Sequence, residues 1–280
     1  MPRGIPKAGF RRNSKKDNVL AIYQAPERQE TDKEINDRLQ ERFEILDILS
    51  QASTCGNSRA FIVSGPPGLG KSYQVEKALF EYDRSGETYT TVKGYVRATG
   101  LVKLLYQYRH AGNIIVFDDA DSIFNDDISL NLLKAVCDTT ENRIVSWLSE
   151  GKLIDEETGE LVPRSFVFEG SIIFITNLDF EALIDKGHKL APHLEALRSR
   201  AHYLDLSLKT RRDYLVRIKQ VISAGMLKEL NKEARGEVIE FIENNYTRLS
   251  ELSLRAAIKL ATLRKTNANW RRIAEITMCR

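Results

Sequence analysis

Residues 61–72 read FIVSGPPGLGKS, a short apolar run followed by a glycine-rich turn that ends in a lysine and a serine. The turn fits the pattern G-x-x-x-x-G-K-[ST], and helical spacing of apolar residues follows it over 71–82. This motif requires a strand before it and a helix after it, because a helix N-terminus attracts anions. The stretch therefore predicts a phosphate-binding loop, the alternative being a chance glycine turn.

The residue types of the loop predict how phosphates would be held. Glycines let backbone N–H groups surround the phosphates, Lys71 neutralises the β and γ oxygens, and Ser72 coordinates magnesium. The predicted nucleotide-contacting residues are Gly65, Pro66, Pro67, Gly68, Leu69, Gly70, Lys71, Ser72 and Tyr73.

A second motif, IIVFDD at residues 114–119, is an apolar run that ends in paired carboxylates. We expect Asp118 to hold the magnesium through water and Asp119 to activate a water molecule for hydrolysis. The nearby carboxylates are interpreted as a solvated helix entry; they are Asp121, Asp126 and Asp127.

Further polar residues follow later apolar runs. Asn177 ends the run 171–176, where an amide can orient an attacking water; a plain turn asparagine is the alternative. Arg198 and Arg200 precede a short apolar run, and Arg255 lies on a later helix. Arginines on helices are usually solvated, which is the alternative for these three.

Strand and helix patterns alternate between residues 31 and 207. A capping box at Thr31 and Glu34 opens a first helix over 31–51. The predicted strands are 61–64, 88–92, 113–117, 171–176 and 201–206, and the helices between them are 71–82, 101–109, 128–138 and a stretch ending near 198. Because parallel strands need crossover connections and are buried on both faces, the alternation predicts an α/β domain with a parallel sheet between layers of helices.

These patterns predict three parts of the chain. Residues 1–30 read as a basic flexible arm, 31–207 as the α/β nucleotide-binding domain, and 208–280 as a small all-helical domain. Residues 143–169 form an insertion in the α/β domain, where two strand-like runs flank a turn with an acidic tip at residues 155–160. We expect a hairpin there.

Composition narrows the class of protein. The 280 residues are 42% hydrophobic and 29% charged with a net charge of +3, which is typical of a folded, soluble protein. The three cysteines are far apart and are expected to be small buried thiols in a reducing compartment rather than a zinc or disulfide framework. No apolar run is long enough to span a bilayer, so we expect a cytoplasmic protein without a membrane partner.

The order of these motifs resembles that of AAA+ ATPases. The features that carry the resemblance are the loop 65–72 (Walker A), the strand end 118–119 (Walker B), Asn177, the Leu-x-Ser-Arg of 197–200 and the Leu-Arg of 254–255. The resemblance spans residues 31–280 and implies a P-loop NTPase sheet with a helical lid, ATP and Mg²⁺ as ligands, and ATP hydrolysis. It also extends to small AAA+ proteins of tailed bacteriophages, which would place the protein in a host cytoplasm.

The same resemblance implies roles for individual residues. Asn177 matches sensor 1, Arg200 the arginine finger with Arg198 as the second candidate, and Arg255 sensor 2. The family usually has Glu where this chain has Asp119, so the shorter side chain needs a closer water or gives slower hydrolysis. Because an arginine finger acts on a neighbouring subunit, we expect self-association into a ring or helical arc, with a hexamer as the leading form.

The sequence leaves the substrate of such a motor open. Basic charge in the arm and in the last helices favours DNA or a DNA-bound protein as a partner, so the first hypothesis is remodelling or loading of proteins on nucleic acid. The second is a protein unfoldase that threads polypeptide past Tyr95, a residue that could equally pack against a helix. A GTPase, a nucleoside kinase and a nucleotide switch without hydrolysis are the rival classes for a chain with this loop.

Overall fold

The five strands predicted from the apolar runs are all present in the computed structural model, which describes residues 30–149, 151–155 and 158–280. The predicted basic arm lies outside the described residues except for Glu30. The strands of the main sheet are β1 (Ala60–Ser64), β2 (Tyr89–Lys93), β3 (Ile114–Asp118), β8 (Ser171–Thr176) and β9 (His202–Asp205). The short strands between β3 and β8 are β4 (Ile144–Ser146), β5 (Leu153–Ile154), β6 (Leu161–Val162) and β7 (Ser165–Val167).

The described helices fall into two groups. Those interleaved with the strands are α1 (Asp32–Thr54), α2 (Lys71–Tyr82), α3 (Ala98–Gln107), α4 (Asp127–Val136), α5 (Phe180–Asp185) and α6 (Ala191–Arg198), with a 3-10 helix at Asp121–Asn125. Those after the last strand are α7 (Arg211–Ser223), α8 (Lys232–Asn245), α9 (Leu254–Thr266) and α10 (Trp270–Met278). The single helical stretch predicted to end near residue 198 is two helices.

The main sheet is parallel throughout and has the order β2-β3-β8-β1-β9. Its three central strands are fully buried, as expected where helices cover both faces of a sheet. The predicted fold class, a P-loop NTPase sheet between helices followed by a helical region, is confirmed.

The first helix begins where its capping residues predict. Thr31 Oγ1 accepts a hydrogen bond from the Glu34 backbone N–H at 3.2 Å, and Glu34 Oε2 accepts one from the Thr31 backbone N–H at 2.8 Å. These bonds satisfy two N–H groups that would otherwise lack a partner. One stripe of the helix is buried against the sheet, including Phe43 and Leu46.

Side chains of the central strands alternate between two apolar cores, one on each face of the sheet. The core beneath α3 and α4 contains an aromatic stack in which the Phe174 ring lies 5.5 Å from that of Phe117 and 5.8 Å from that of Phe124. The opposite core joins the sheet to α1 and α2. The two layers hold the carboxyl ends of the strands at a common edge.

The four last helices have an apolar core of their own, in which Phe241 packs on Trp270 at 5.4 Å. Thr31–Arg280 nevertheless forms one compact unit. The boundary at residues 207/208 therefore stays a prediction. Among the described residues, no helix is long and apolar enough to cross a membrane.

The insertion before β8 contains two short antiparallel ladders, β4 with β7 and β5 with β6. One face packs into the core, where the Phe166 ring meets that of Tyr106 at 5.3 Å. The other face leaves the cross-strand pair Ile144 and Val167 57% and 44% exposed. Asp155, expected at an acidic tip, is buried.

The cysteines differ in exposure. Cys137 is buried, and burial raises the pKa of its thiol to about 12. Cys55 is exposed and Cys279 is partly exposed, so the prediction of three buried thiols is wrong for Cys55. Cys55 directly follows α1, where the chain turns toward β1.

Replacing Phe174, which is 1% exposed, tests the aromatic stack. We expect Phe174→Ala to lower the free energy of unfolding by about 3–5 kcal/mol, because it leaves a cavity between two other rings. Phe80→Ala, at a residue 55% exposed, is the control and should change stability little. Urea unfolding followed by circular dichroism measures both, and similar losses for the two variants would contradict the assignment of this core.

Candidate functional site

Three strand ends meet at the carboxyl edge of the sheet. Strand β8 lies between β1 and β3, with Thr176 opposite Ser64 and Ile175 opposite Asp118. The glycine loop after β1, the carboxylates after β3 and Asn177 after β8 therefore converge. Ligands of open α/β sheets bind at this edge.

The glycine loop follows β1 and has a conformation that side chains would disturb. Gly68 has φ +77° and Gly70 has φ +94°, both in the left-handed region. A Cβ added at Gly68 would lie 2.7 Å from the Cβ of Ser253, which is too close for two carbon atoms. Glycine at position 68 is therefore required by both backbone angle and space.

The backbone of the loop presents a row of N–H groups. None of the backbone N–H groups of residues 68–72 donates a hydrogen bond to an acceptor within the described part of the chain. Successive N–H groups in a turn before a helix form a concave anion site, and the positive end of the helix dipole adds to it. The loop thus fits phosphate.

The Lys71 ammonium lies within this loop and is buried. It donates to the carbonyl oxygens of Gly65 and Pro66, the latter at 3.0 Å, and to Asn177 Oδ1 at 3.0 Å. Burial lowers its pKa to about 8, although nearby carboxylates, Asp119 foremost, oppose the change. No carboxylate oxygen of the described residues lies within ion-pair distance of this cation, so its charge fits an anionic ligand.

Ser72 and Asp118, the two residues that the sequence predicts as metal ligands, are in direct contact. Ser72 Oγ donates to Asp118 Oδ1 at 2.9 Å, and Asp118 is 4% exposed. Hydroxyl and carboxylate oxygens suit Mg²⁺, which completes its octahedron with water and phosphate oxygens. Within the described ranges, no cluster of three His, Cys, Asp or Glu side chains that could hold a metal is present, so a cation here would depend on ligand oxygens.

Lys93 also contacts this pair, although the motifs in the sequence do not predict it. Its ammonium lies 3.2 Å from Asp118 Oδ2 and 3.0 Å from Glu76 Oε1. These hydrogen bonds, with Glu76 first, raise the pKa of Lys93. Its position opposite Asp118 in the β2–β3 register is the signal that could have found it, once the strand order was known.

Asp119 and Asn177 are joined directly. Asn177 Nδ2 donates to Asp119 Oδ1 at 2.7 Å, while the Oδ1 of the same amide accepts from Lys71. Asp119 has φ +53°, an angle that costs energy in a residue with a Cβ and that often occurs at functional sites. One amide therefore fixes both the ammonium and the carboxylate.

The remaining carboxylates of the segment differ from one another. Asp126 caps α4 by accepting from the Ser129 backbone N–H, and Asp127 is 85% exposed, as a solvated helix entry predicts. Asp121 instead accepts from Thr176 Oγ1 at 2.6 Å, and burial raises its pKa. The solvated interpretation is therefore wrong for Asp121.

A cavity of about 860 Å³ extends from the loop toward α1 and the last four helices. Loop residues 67–73, Asp119, Asn177 and Arg255 line it, with Tyr73 70% exposed. Arg217 of α7 also lines it and was not predicted, although its position three residues after Tyr214 on an apolar stripe is a usable signal. The cavity gathers most of the predicted loop, carboxylate, amide and lid residues, but Gly65, Pro66 and Asp118 do not line it.

Arg198 and Arg200 lie away from this cavity. Arg200 donates to the Ala196 carbonyl at 2.8 Å and lies 4.0 Å from Asp138, while Arg198 lies 3.5 Å from Glu181. Neither arginine lines the cavity of its own chain. The structure therefore does not bring these two residues to the site that the others form.

The parallel sheet with its glycine loop, acidic strand end and helical C-terminal region has the fold of AAA+ ATPases. A point mutant of RuvB from Thermotoga maritima superposes with a TM-score of 0.50 at 16% identity, over 89% of this chain and 72% of that one. A second RuvB structure from the same organism, described as a Holliday junction branch migration motor, gives 0.47 at 16% identity, over 86% of this chain and 68% of that one.

Sequence comparison then gives the family. The chain is 36% identical over 250 residues to the uncharacterized 36.7 kDa protein of the nrdC-mobD intergenic region in Enterobacteria phage T4. The alignment covers 88% of this chain and 76% of the T4 protein. This chain belongs to the family of that T4 protein. No protein-family model matches the chain.

Gly68→Ala tests the shape of the loop, because the added methyl meets Ser253 and the backbone angle disfavours it. We expect nucleotide affinity to fall at least about tenfold, since the row of N–H groups is displaced. Gly86→Ala is the matched control: it has φ +75°, and its Cβ has open space. Calorimetric titration with ATP measures both, and equal affinity losses would show that the loop shape is not responsible.

Proposed function

We propose that the protein binds ATP with Mg²⁺ at the carboxyl edge of the sheet and hydrolyses it within an oligomer of identical subunits. The observation that carries this proposal is the row of N–H groups of residues 68–72 without acceptors in the described residues, beside the Lys71 cation without a carboxylate partner there. Both features need an anion of several oxygens, and a triphosphate supplies one. The AAA+ fold supports the same conclusion.

Each predicted residue has a task in this proposal. Lys71 exchanges its carbonyl partners for phosphate oxygens, and Arg255, exposed on the first turn of α9, adds a second positive charge at the cavity. Ser72 and Asp118 would hold Mg²⁺, which neutralises charge on the phosphates when bound.

Asp119 is the proposed base. It accepts a proton from the attacking water, and the Asn177 amide holds the carboxylate at 2.7 Å, which keeps it in one orientation. Because an aspartate is shorter than the glutamate usual in AAA+ proteins, the water must lie close to the sheet edge. Removal of the carboxylate should stop hydrolysis without removing the phosphate contacts.

The position of Arg200 supports action between subunits. Arg200 is outside its own cavity and is one-third exposed, so its guanidinium is accessible to an adjoining copy. Arg198 is the second candidate and is 43% exposed. We propose a ring or helical arc, with six subunits as the leading form, in which one of these arginines completes the neighbouring site.

Mixing two inactive variants tests this arrangement. Asp119→Asn and Arg200→Ala should each lower turnover by about 10³-fold or more while nucleotide binding is kept. In an equal mixture, about a quarter of the interfaces combine an intact base with an intact finger, so turnover should recover to roughly a quarter of the wild-type value. ATP turnover against the mixing ratio measures this.

Two controls complete the mixing experiment. Asp127→Asn, at a carboxylate 85% exposed, should keep wild-type turnover. Turnover of Arg198→Ala, compared with that of Arg200→Ala, shows which of the two arginines completes the neighbouring site. Full activity of Asp119→Asn would contradict its role as the base, absence of turnover in the wild type would favour a nucleotide switch without hydrolysis, and no recovery in any mixture would contradict action between subunits.

The proposal extends to the polymer, nucleic acid or polypeptide, on which the ATPase acts. We favour remodelling or loading of proteins on nucleic acid, for which the basic charge of residues 1–30 is the support. The last helices support it less than their composition suggests, because five of their basic side chains are paired with glutamates. The pairs are Lys259–Glu251, Arg264–Glu237, Lys265–Glu229, Arg271–Glu240 and Arg272–Glu275.

Tyr95 supports the second candidate, threading of a polypeptide. It is 74% exposed, and its loop is braced by Ser122, whose Oγ accepts from the Val96 N–H at 3.3 Å. An exposed aromatic on a braced loop can contact an extended chain or stack on a base. Packing against the next helix, the alternative for this residue, does not fit its exposure.

Stimulation of ATP turnover by polymers distinguishes the two candidates. Stimulation by DNA that falls steeply with salt would support the first candidate, because phosphate contacts release counterions. Stimulation by unfolded polypeptide that is lost in Tyr95→Ala would support the second. Tyr82→Ala, at a tyrosine 44% exposed outside this loop, is the control and should leave stimulation unchanged.

A further inference from the structure

The outer turn of the phosphate loop accepts hydrogen bonds from two of the last four helices, α7 and α9. The Leu254 backbone N–H, at the start of α9, donates to the Gly68 carbonyl at 2.9 Å. Arg217 of α7 donates to the next carbonyl, that of Leu69, from Nε at 3.3 Å and from a terminal nitrogen at 3.4 Å. Two successive carbonyls of the loop therefore accept hydrogen bonds from two different helices.

The Arg217 side chain is unusual for a charged group. It is 8% exposed, and its guanidinium carbon lies 3.3 Å from the centre of the Phe43 ring of α1. Its third bond goes to Gln220 Oε1 at 2.6 Å, and no carboxylate of the described residues forms an ion pair with it. Burial lowers its pKa to about 10.

A buried cation without a counter-ion is costly, so its retention calls for an explanation. Core packing alone would be served by an apolar side chain of similar length. Arg217 instead joins α7, the ring of α1 and the Leu69 carbonyl, and it lines the cavity beside the loop. Two of its three hydrogen bonds go to the loop backbone.

Peptide geometry shows what a bond to the Leu69 carbonyl does. In a planar trans peptide the C=O and N–H groups point in opposite directions. The peptide unit that carries the Leu69 carbonyl also carries the Gly70 N–H, and the unit of the Gly68 carbonyl carries the Leu69 N–H. With both carbonyls directed at the helices, both N–H groups point away from them, and neither has an acceptor in the described residues.

We infer that Arg217 is a positioning residue of the nucleotide site, which fixes the Leu69 carbonyl and so aims the Gly70 N–H at the phosphates of the nucleotide. The inference rests on the proposed function. It assigns Arg217 to nucleotide affinity rather than to the hydrolytic step, because the phosphates that the loop holds are bound in both the ground state and the transition state. It also makes α7 a direct support of the loop.

Arg217→Met tests the inference, because it keeps an unbranched apolar stem and removes the donors. We expect the dissociation constants of ATP and ADP to rise together at least about tenfold, and KM to rise likewise, because a charged donor to a buried carbonyl is lost. Turnover at saturating ATP should stay within about twofold of wild type. Titration calorimetry and steady-state kinetics of the full chain give these values.

Three further variants separate positioning from other roles. Arg217→Lys should recover only part of the affinity, since an ammonium lacks the planar fork; full recovery would show that charge alone acts and would overturn the inference. Phe43→Leu, which leaves the arginine but removes its stacking ring, should raise KM in the same direction, and it serves if Arg217→Met does not fold. Arg212→Met, on the same helix with an ion pair to Asp32, is the control and should bind ATP like wild type.

The outcomes distinguish this inference from the proposed function. If the wild-type chain binds no ATP, the proposed function fails. If the wild type binds ATP and Arg217→Met binds it within about twofold, or loses turnover without a change in KM, only the positioning role of Arg217 is overturned.

Discussion

Everything at the site depends on positive charge collected at one strand-to-helix junction. The loop after β1 holds the Lys71 ammonium and the N–H groups of residues 68–72, all without an anionic partner among the described residues. In a medium of low polarity such charge is costly until an anion binds. The surrounding groups can be understood by how they maintain this arrangement: glycines make the turn, carbonyls hold the ammonium, and the last helices support the loop from outside.

The strand order converts this junction into a chemical site. Because β8 lies between β1 and β3, Asn177 contacts the cation on one side and Asp119 on the other. A single amide thereby connects the proposed phosphate-binding group with the proposed water-activating group. A sheet in which β1 and β3 were direct neighbours would leave no place for such a residue.

Most strands of the main sheet and most residues of the candidate site were predictable from the sequence. Strand β8 was predicted to the residue, because a fully buried parallel strand is a continuous apolar run between polar ends, and the other strands of the main sheet were predicted to within one residue at each end. The loop and the carboxylates follow from local spacing. Contacts between distant segments were not predictable: Lys93 reaches Asp118 through the register of β2 and β3, and Asp121 accepts a hydrogen bond from Thr176 at the end of β8.

Arg217 is a second case in which a contact between distant segments was not predictable from the sequence. Its position on an apolar stripe is visible in the sequence, but a lone arginine on a helix usually faces water. What distinguishes it is the ring of Phe43, which belongs to the first helix of the chain. The paired charges of α9 and α10 likewise depend on glutamates from other segments, which a count of basic residues in one segment does not include.

The unequal exposure of the cysteines has a practical consequence for fluorescence work. Cys55 precedes β1 while the glycine loop follows it, so the thiol and the loop lie at opposite ends of a five-residue strand, roughly 17 Å apart along its axis. Cys137 is shielded from alkylating reagents by burial and by its raised pKa. Once the partly exposed Cys279 is replaced by serine, a maleimide dye on Cys55 becomes a single covalent reporter at the end of α1, remote from the proposed nucleotide site.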